Sequence, residues 1–148
     1  MDKQQIINNL IEKELKIAVA ESCTGGLLAK TITDIPGSSA CFDVGLVTYS
    51  NESKVNLLDV SPQTLEKYGA VSKQVAIEMI NGLRKISDCD IAISITGIAG
   101  PGGATENKPI GLVYIAINDE VYTCNFKGTR QEVREQTVDF VFAELSNL

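Results

Sequence analysis

Ser22, in the run Glu21-Ser22-Cys23-Thr24-Gly25-Gly26, is the first residue of the chain placed to do covalent chemistry. It ends a short apolar stretch and precedes a helix-forming one, so its hydroxyl lies in the positive field of a helix N-terminus. Unpaired N–H groups of Cys23, Thr24, Gly25 and Gly26 could hold an oxyanion there, and the glycines let a substrate come close to the backbone. Ser22 and Thr24 would serve equally well as simple helix caps. Cys23 is the competing nucleophile. A thiolate needs an activating partner, however, and an isolated cysteine in apolar surroundings reads as a core residue.

One absence decides what base could serve Ser22. The sequence of 148 residues contains no histidine, so the chain cannot by itself build a Ser-His-Asp unit, a Cys-His pair or a histidine metal site. A lysine is the alternative. VTYSNESK, at 47–54, puts Tyr49 near a strand end and Lys54 one turn into the following helix. A lysine desolvated in a cleft can take a serine proton, and a tyrosine can relay or orient that proton. Taken alone, the same residues read as a solvated charge and a rim aromatic.

A third segment, TGIAGPGG at 96–103, follows a strand, and its clustered backbone amides suit an anion. It fits neither GxxxxGK[ST] nor GxGxxG, so nucleotide triphosphate hydrolysis and dinucleotide binding gain no support. Smaller pieces are Gly37-Ser38-Ser39, Lys108-Pro109, and Arg130 with Arg134. The two arginines could clamp a phosphate or serve as ordinary surface charges one helical turn apart.

The elements that must position these residues follow from periodicity. Helices are expected over 2–13, after Thr24 as a cap, over 51–60, from Pro62 with Ser61 as cap and Gly69 as stop, from Ser72 to Ile86, and over 130–147. Strands are expected at Lys16–Glu21, over CFDVGLVTYS, at DIAISIT buried on both faces, and in a hairpin IGLVYIAIN–VYTCNF turning at Asn118-Asp119. Strands alternating with helices predict a single-domain α/β fold over 1–148, a layered α/β/α arrangement with a mixed sheet. In such sheets ligands bind beyond the carboxyl ends of the strands, where three of the polar segments above lie.

Composition narrows the function classes. A hydrophobic share of 44% with 22% charged residues predicts an ordered globule. The net charge of −6, without a basic stripe, argues against nucleic acid as partner. No secretory signal or bilayer-spanning stretch is present, which argues against a membrane. Four scattered cysteines, Cys23, Cys41, Cys89 and Cys124, offer neither zinc-site nor disulfide spacing. The expectation is a cytoplasmic protein with no metal or cofactor.

Together, AESCTGG, ITDIPGSSACF, GLVTYSNESK, YGAVS, SITGIAGPGG, KPIG and GTRxxVR resemble, in order and spacing, the CinA C-terminal-domain family of nicotinamide-nucleotide amidases over residues 5–145. The resemblance implies deamidation of nicotinamide mononucleotide to nicotinate mononucleotide and ammonia, without a cofactor, by a Ser22 nucleophile with a Tyr49/Lys54 base. It further implies substrate-binding roles for Thr24, Gly25, Gly26, Ser38, Ser39, Asn51, Thr96, Gly97, Gly100, Gly102, Arg130 and Arg134. Many members of that family carry an extra N-terminal domain, and this chain is similar to the form without it, with a homodimer as the expected assembly. Two alternatives stand beside this reading. Ser38 or Ser39 could be the nucleophile, as the GSS run is similar to that of amidase-signature enzymes, although the glycine-rich surroundings of that family are missing. The chain could also be a nucleotide-binding or protein-interaction module without turnover.

Overall fold

The computed structural model describes residues 1–148. Five strands, β1 (Ile17–Glu21), β2 (Phe42–Val47), β3 (Ile91–Gly97), β4 (Leu112–Ile117) and β5 (Glu120–Asn125), form one sheet in the order β2-β1-β3-β4-β5. The first three are parallel, and β4 and β5 run antiparallel to β3 as a hairpin closed at Asn118 and Asp119. Six α-helices flank the sheet: α1 (Lys3–Glu12), α2 (Leu27–Thr33), α3 (Asn51–Leu58), α4 (Pro62–Tyr68), α5 (Lys73–Ile86) and α6 (Arg130–Leu145).

The alternation along β1 shows why two helical layers form. Ile17 and Val19 point to one face, where Ile7, Leu10, Leu28, Ile32, Val141 and Phe142 of α1, α2 and α6 cover them. Ala18 and Ala20 point to the other, joined by Ala92 and Ala116 from β3 and β4. This alanine floor lets Val75, Met79 and Leu83 of α5 and Leu58 of α3 pack down closely. The result is the layered α/β fold with a mixed sheet that the pattern predicts.

Helix ends depart from the expectation in informative places. Ser72 caps α5 through the Val75 amide as anticipated. Thr24 does not cap α2. That helix begins at Leu27, its N-cap is Gly26 with φ 103°, and no side chain of the cap residue bonds to it. Instead the Glu21 carboxylate reaches over and accepts from the Leu28 and Ala29 amides, each at 2.9 Å. Ser61 precedes α4 without bonding to its amides, its hydroxyl turning to Gln63. A 3-10 turn at Ser38–Ala40, not anticipated, leads into β2.

Gly82 fixes the height of α3 above the sheet. A Cβ on it would lie 2.0 Å from the Leu58 carbonyl oxygen, so only glycine permits α5 to touch the end of α3 this closely. The carbonyl end of α3 is thereby set, and with it the residue on its first full turn, Lys54.

Candidate active site

The parallel ladder continues one residue beyond β1: Ser22 N–H donates to Ile95 O at 3.0 Å, and Thr48 N–H donates to Glu21 O at 2.9 Å. Ser22 and Thr48 therefore leave the sheet in register, at the carboxyl ends of neighbouring strands. Ser50 caps α3 through the Ser53 amide, which fixes the start of that helix just beyond Thr48. Side chains on a helix tilt toward its N-terminus, so Lys54 runs back toward the strand end it came from.

Lys54 is among the largest fully buried side chains, with 1% of its surface exposed. Its Nζ donates to Ser22 Oγ at 2.9 Å, to the Thr48 carbonyl at 2.6 Å and to the Tyr49 carbonyl at 3.2 Å. Burial disfavours the ammonium and lowers its pKa from 10.5 to about 8. When the ammonium loses a proton, the two carbonyls still hold its two remaining hydrogens, which leaves the lone pair for the Ser22 hydroxyl.

This pair opens into a cavity of about 240 Å³ lined also by Cys23, Tyr49, Ala70, Val71, Thr96–Gly100, Gly102, Gly103 and Arg130. The Cys23 thiol is pushed up to about 12, chiefly by burial, which keeps it protonated and matches its reading as a core residue. The Thr96 hydroxyl is spent on the Ala70 carbonyl at 2.8 Å and so braces one wall. On the loop after β3, the amides of Ala99, Gly100, Gly102 and Gly103 donate to nothing within the chain. Arg130 reaches over from α6, its Nη1 donating to the Gly100 carbonyl at 2.8 Å and its Nη2 to the Tyr49 hydroxyl at 2.9 Å.

Of the residues singled out in the sequence, Ser22, Tyr49, Lys54, Thr96, Gly97, Gly100, Gly102 and Arg130 meet at this cavity. Others do not. Ser38 and Ser39 lie just before β2, whose first residue pairs with Ile17 at the start of β1, so they occupy the opposite end of the sheet from Ser22. Neither can serve this cavity as nucleophile or ligand within one chain. Asn51 opens α3 as an exposed residue outside the cavity lining. Thr24, Gly25, Gly26 and Arg134 are not among its lining residues: Thr24 is fully buried, and Arg134 donates to its carbonyl. Tyr49 also departs from a relay role, since the residue is 60% exposed, its hydroxyl accepts from Arg130, and its hydrogen bond with Lys54 runs through its backbone carbonyl.

The oxyanion expectation changes in detail as well. The first amides of α2 are occupied by Glu21, while those of Cys23, Thr24 and Gly26 remain without an acceptor in the chain. Glu21 itself escaped the sequence reading. Its signal was a carboxylate closing the otherwise apolar run Ile17 to Ala20, a position that burial makes costly unless amides receive it.

The chain is similar to known proteins over nearly its whole length. A family model described as the CinA C-terminal domain covers residues 2–148. A CinA-like protein of Endomicrobium trichonymphae is 53% identical over 134 residues, 88% of this chain and 31% of that protein. The chain spans about a third of the length of the curated relatives it matches. Among solved structures, competence damage-inducible protein A from Klebsiella pneumoniae superposes with a TM-score of 0.93 at 34% identity, over 99% of this chain and 96% of that one. The competence/damage inducible protein from Agrobacterium tumefaciens gives 0.90 at 39% identity, over 100% and 97%. With the family model spanning the whole sheet and all three loops of the site, the chain belongs to the CinA C-terminal domain family.

Proposed function

We propose that the chain is a serine amidohydrolase that deamidates nicotinamide mononucleotide. The observation that carries this reading is the contact between the buried Lys54 Nζ and Ser22 Oγ at 2.9 Å, with two backbone carbonyls orienting the amine. Neutral Lys54 takes the hydroxyl proton as Ser22 Oγ bonds to the carboxamide carbon, and the carbonyl electron pair moves onto oxygen. The free Cys23 amide next to Ser22 stabilises that oxyanion. The tetrahedral centre then collapses, the C–N bond breaks, and the Lys54 ammonium returns its proton to the departing ammonia. Water, giving a proton to the same amine, then bonds to the acyl carbon, the C–Oγ bond breaks, and Lys54 returns that proton to Ser22 Oγ, releasing nicotinate mononucleotide.

The rest of the cavity suits the rest of that substrate. Ala70, Val71, Ile98 and Ala99 offer apolar contact to a pyridine ring, and the free amides of the loop after β3 with Arg130 offer an anion site for the 5′ phosphate. The test is ammonia and nicotinate mononucleotide release by pure protein, for the wild type and for Ser22→Ala, Ser38→Ala and Ser39→Ala. Turnover should vanish only in the first. If the wild type binds the nucleotide but releases no ammonia between pH 7 and pH 9, the domain is a nucleotide-binding module and the hydrolase reading falls.

A further inference from the structure

Arg130 and Arg134 stand one turn apart at the start of α6, yet they face different partners. Arg130 lines the cavity. Arg134 does not: its Nη2 donates to the Thr24 carbonyl at 2.8 Å, 110 positions away in sequence, and its Nε is buried without a partner. The same Nη2 lies 3.3 Å from where a Cβ on Gly25 would be, so the guanidinium is seated directly against the turn that follows Ser22.

That turn has little else to hold it. Ser22 is anchored by its bond to Ile95, and Leu28 and Ala29 by theirs to Glu21. Between those anchors Gly25 and Gly26 adopt φ of 60° and 103°, the least restrained backbone in the segment. Three backbone bonds brace it, Gly25 N–H to Ser22 O and Leu27 N–H to Thr24 O, both 3.0 Å, and Lys30 N–H to Gly26 O at 2.9 Å, and none of them holds the Cys23 or Thr24 N–H. The Arg134 bond is charge-assisted and lands on the middle peptide. The amides left free in the turn, those of Cys23, Thr24 and Gly26, are the donors nearest in sequence to the nucleophile.

We propose that Arg134 is a positioning residue for the turn after Ser22, fixing the Thr24 peptide and with it the free Cys23 amide, whose residue lines the cavity, so that this donor serves the oxyanion, while contact with the phosphate falls to Arg130. This rests on the amidohydrolase reading of the site. The role differs from a phosphate clamp in what it predicts. Loss of a clamp raises KM for a substrate bearing the phosphate. Loss of the turn's geometry lowers kcat for any substrate.

The experiment uses the full chain with Arg134→Gln and Arg134→Lys, and two readouts. The first is kinetics on nicotinamide mononucleotide and on phosphate-free nicotinamide riboside. Arg134→Gln should lower kcat on the order of 100-fold for both, the range seen for loss of an oxyanion donor, with KM changed by less than about twofold. Arg134→Lys, which keeps the charge and a donor, should restore part of it, and it serves alone if the glutamine variant does not fold. A KM rise confined to the nucleotide would overturn the proposal in favour of a clamp. The second readout is labelling of Ser22 by a neutral fluorophosphonate, followed by intact mass. Here Ser22 Oγ bonds to phosphorus, fluoride leaves, Lys54 takes the proton, and the P–O oxygen needs the same amide. Labelling should slow to a similar extent in Arg134→Gln, with the rising pH limb still near pH 8. Equal labelling of wild type and variant would overturn the inference. Labelling that responds to Arg134 in a protein releasing no ammonia would uphold it while overturning the substrate. A wild-type Ser22 that resists the probe would overturn the inference together with the nucleophile it serves.

Discussion

Replacing Lys54 by methionine separates what the residue costs the fold from what it does for chemistry. Burial lowers the folded-state pKa from 10.5 to about 8, which at about 1.4 kcal/mol per pH unit amounts to about 3 kcal/mol. The sign follows from proton binding. Below pH 8 both folded and unfolded chains carry the charge, and the folded state bears the whole penalty. Between pH 8 and pH 10.5 the unfolded lysine holds a proton that the folded one has released, so stability rises with pH through that window and is level beyond it. Lys54→Met lacks this rise. Methionine fills a similar volume, but it leaves the Thr48 and Tyr49 carbonyls without their donor, an offset of about 1–3 kcal/mol that does not vary with pH. The assay is urea denaturation of both proteins at pH 7 and pH 10.5, where other titrating groups cancel in the difference. The wild type should gain about 3 kcal/mol on the variant between the two pH values. The same titration should appear in kcat/KM, which rises with pH to a plateau above pH 8, with about one lysine in ten neutral at pH 7. The variant should be inactive at every pH. A stability difference independent of pH would mean that Lys54 holds an ordinary pKa in the folded protein, and its service as a base near neutrality would be refuted.

Two further perturbations test the parts around this pair. Tyr49→Phe removes a hydroxyl whose partner is Arg130, so KM for the nucleotide should rise several-fold while kcat and the pH limb stay within about twofold. A kcat loss of 100-fold or more with a displaced limb would restore the phenol to the proton path. Gly82→Ala forces a Cβ into the Leu58 carbonyl and pushes α3 away from α5. Chemical denaturation should show a loss of about 1–3 kcal/mol, and kcat should fall as well, because α3 carries Lys54. Unchanged stability and turnover would show that the position of α3 is set elsewhere.

The parts legible in the sequence are those set by local pattern. The β1 run IAVA, the cap at Ser72 and the Asn118-Asp119 turn each depend on residues a few positions apart, and the strand ends place three loops on one side of the sheet without further information. What was not legible depends on distant contacts. Nothing in NESKVNLL marks Lys54 as buried rather than solvated, because its enclosure comes from Ser22 and from the packing of α3 on α5. Glu21 supplanting Thr24 at the start of α2 needs a chain reversal that brings residues seven and eight positions on above the carboxylate. Ser38 and Ser39 sit in a polar loop close in sequence to the site, yet β2 must be crossed before the chain returns to that end of the sheet. Tyr49 and Arg130 meet across 81 positions, which turns an apparent proton relay into a contact with an arginine.

A fold without histidine has to obtain a base near neutrality by environment. An imidazole starts near the required pKa and needs mainly an orienting partner. A lysine starts at 10.5 and becomes useful only when it is desolvated, so the base proposed here would be made by packing more than by a neighbouring charge. No carboxylate pairs with Lys54, and one placed within reach would stabilise the ammonium and return the pKa upward. The two backbone carbonyls solve this by binding hydrogens in either protonation state without adding a formal charge. Since Thr48 is tied to β1 through Glu21 and the height of α3 is set by Gly82, the amine, its acceptors and the serine are all referred to the same three strands. On the proposed mechanism, the reactivity of Ser22 should therefore respond most to changes that admit water around α3, and least to changes in surface charge.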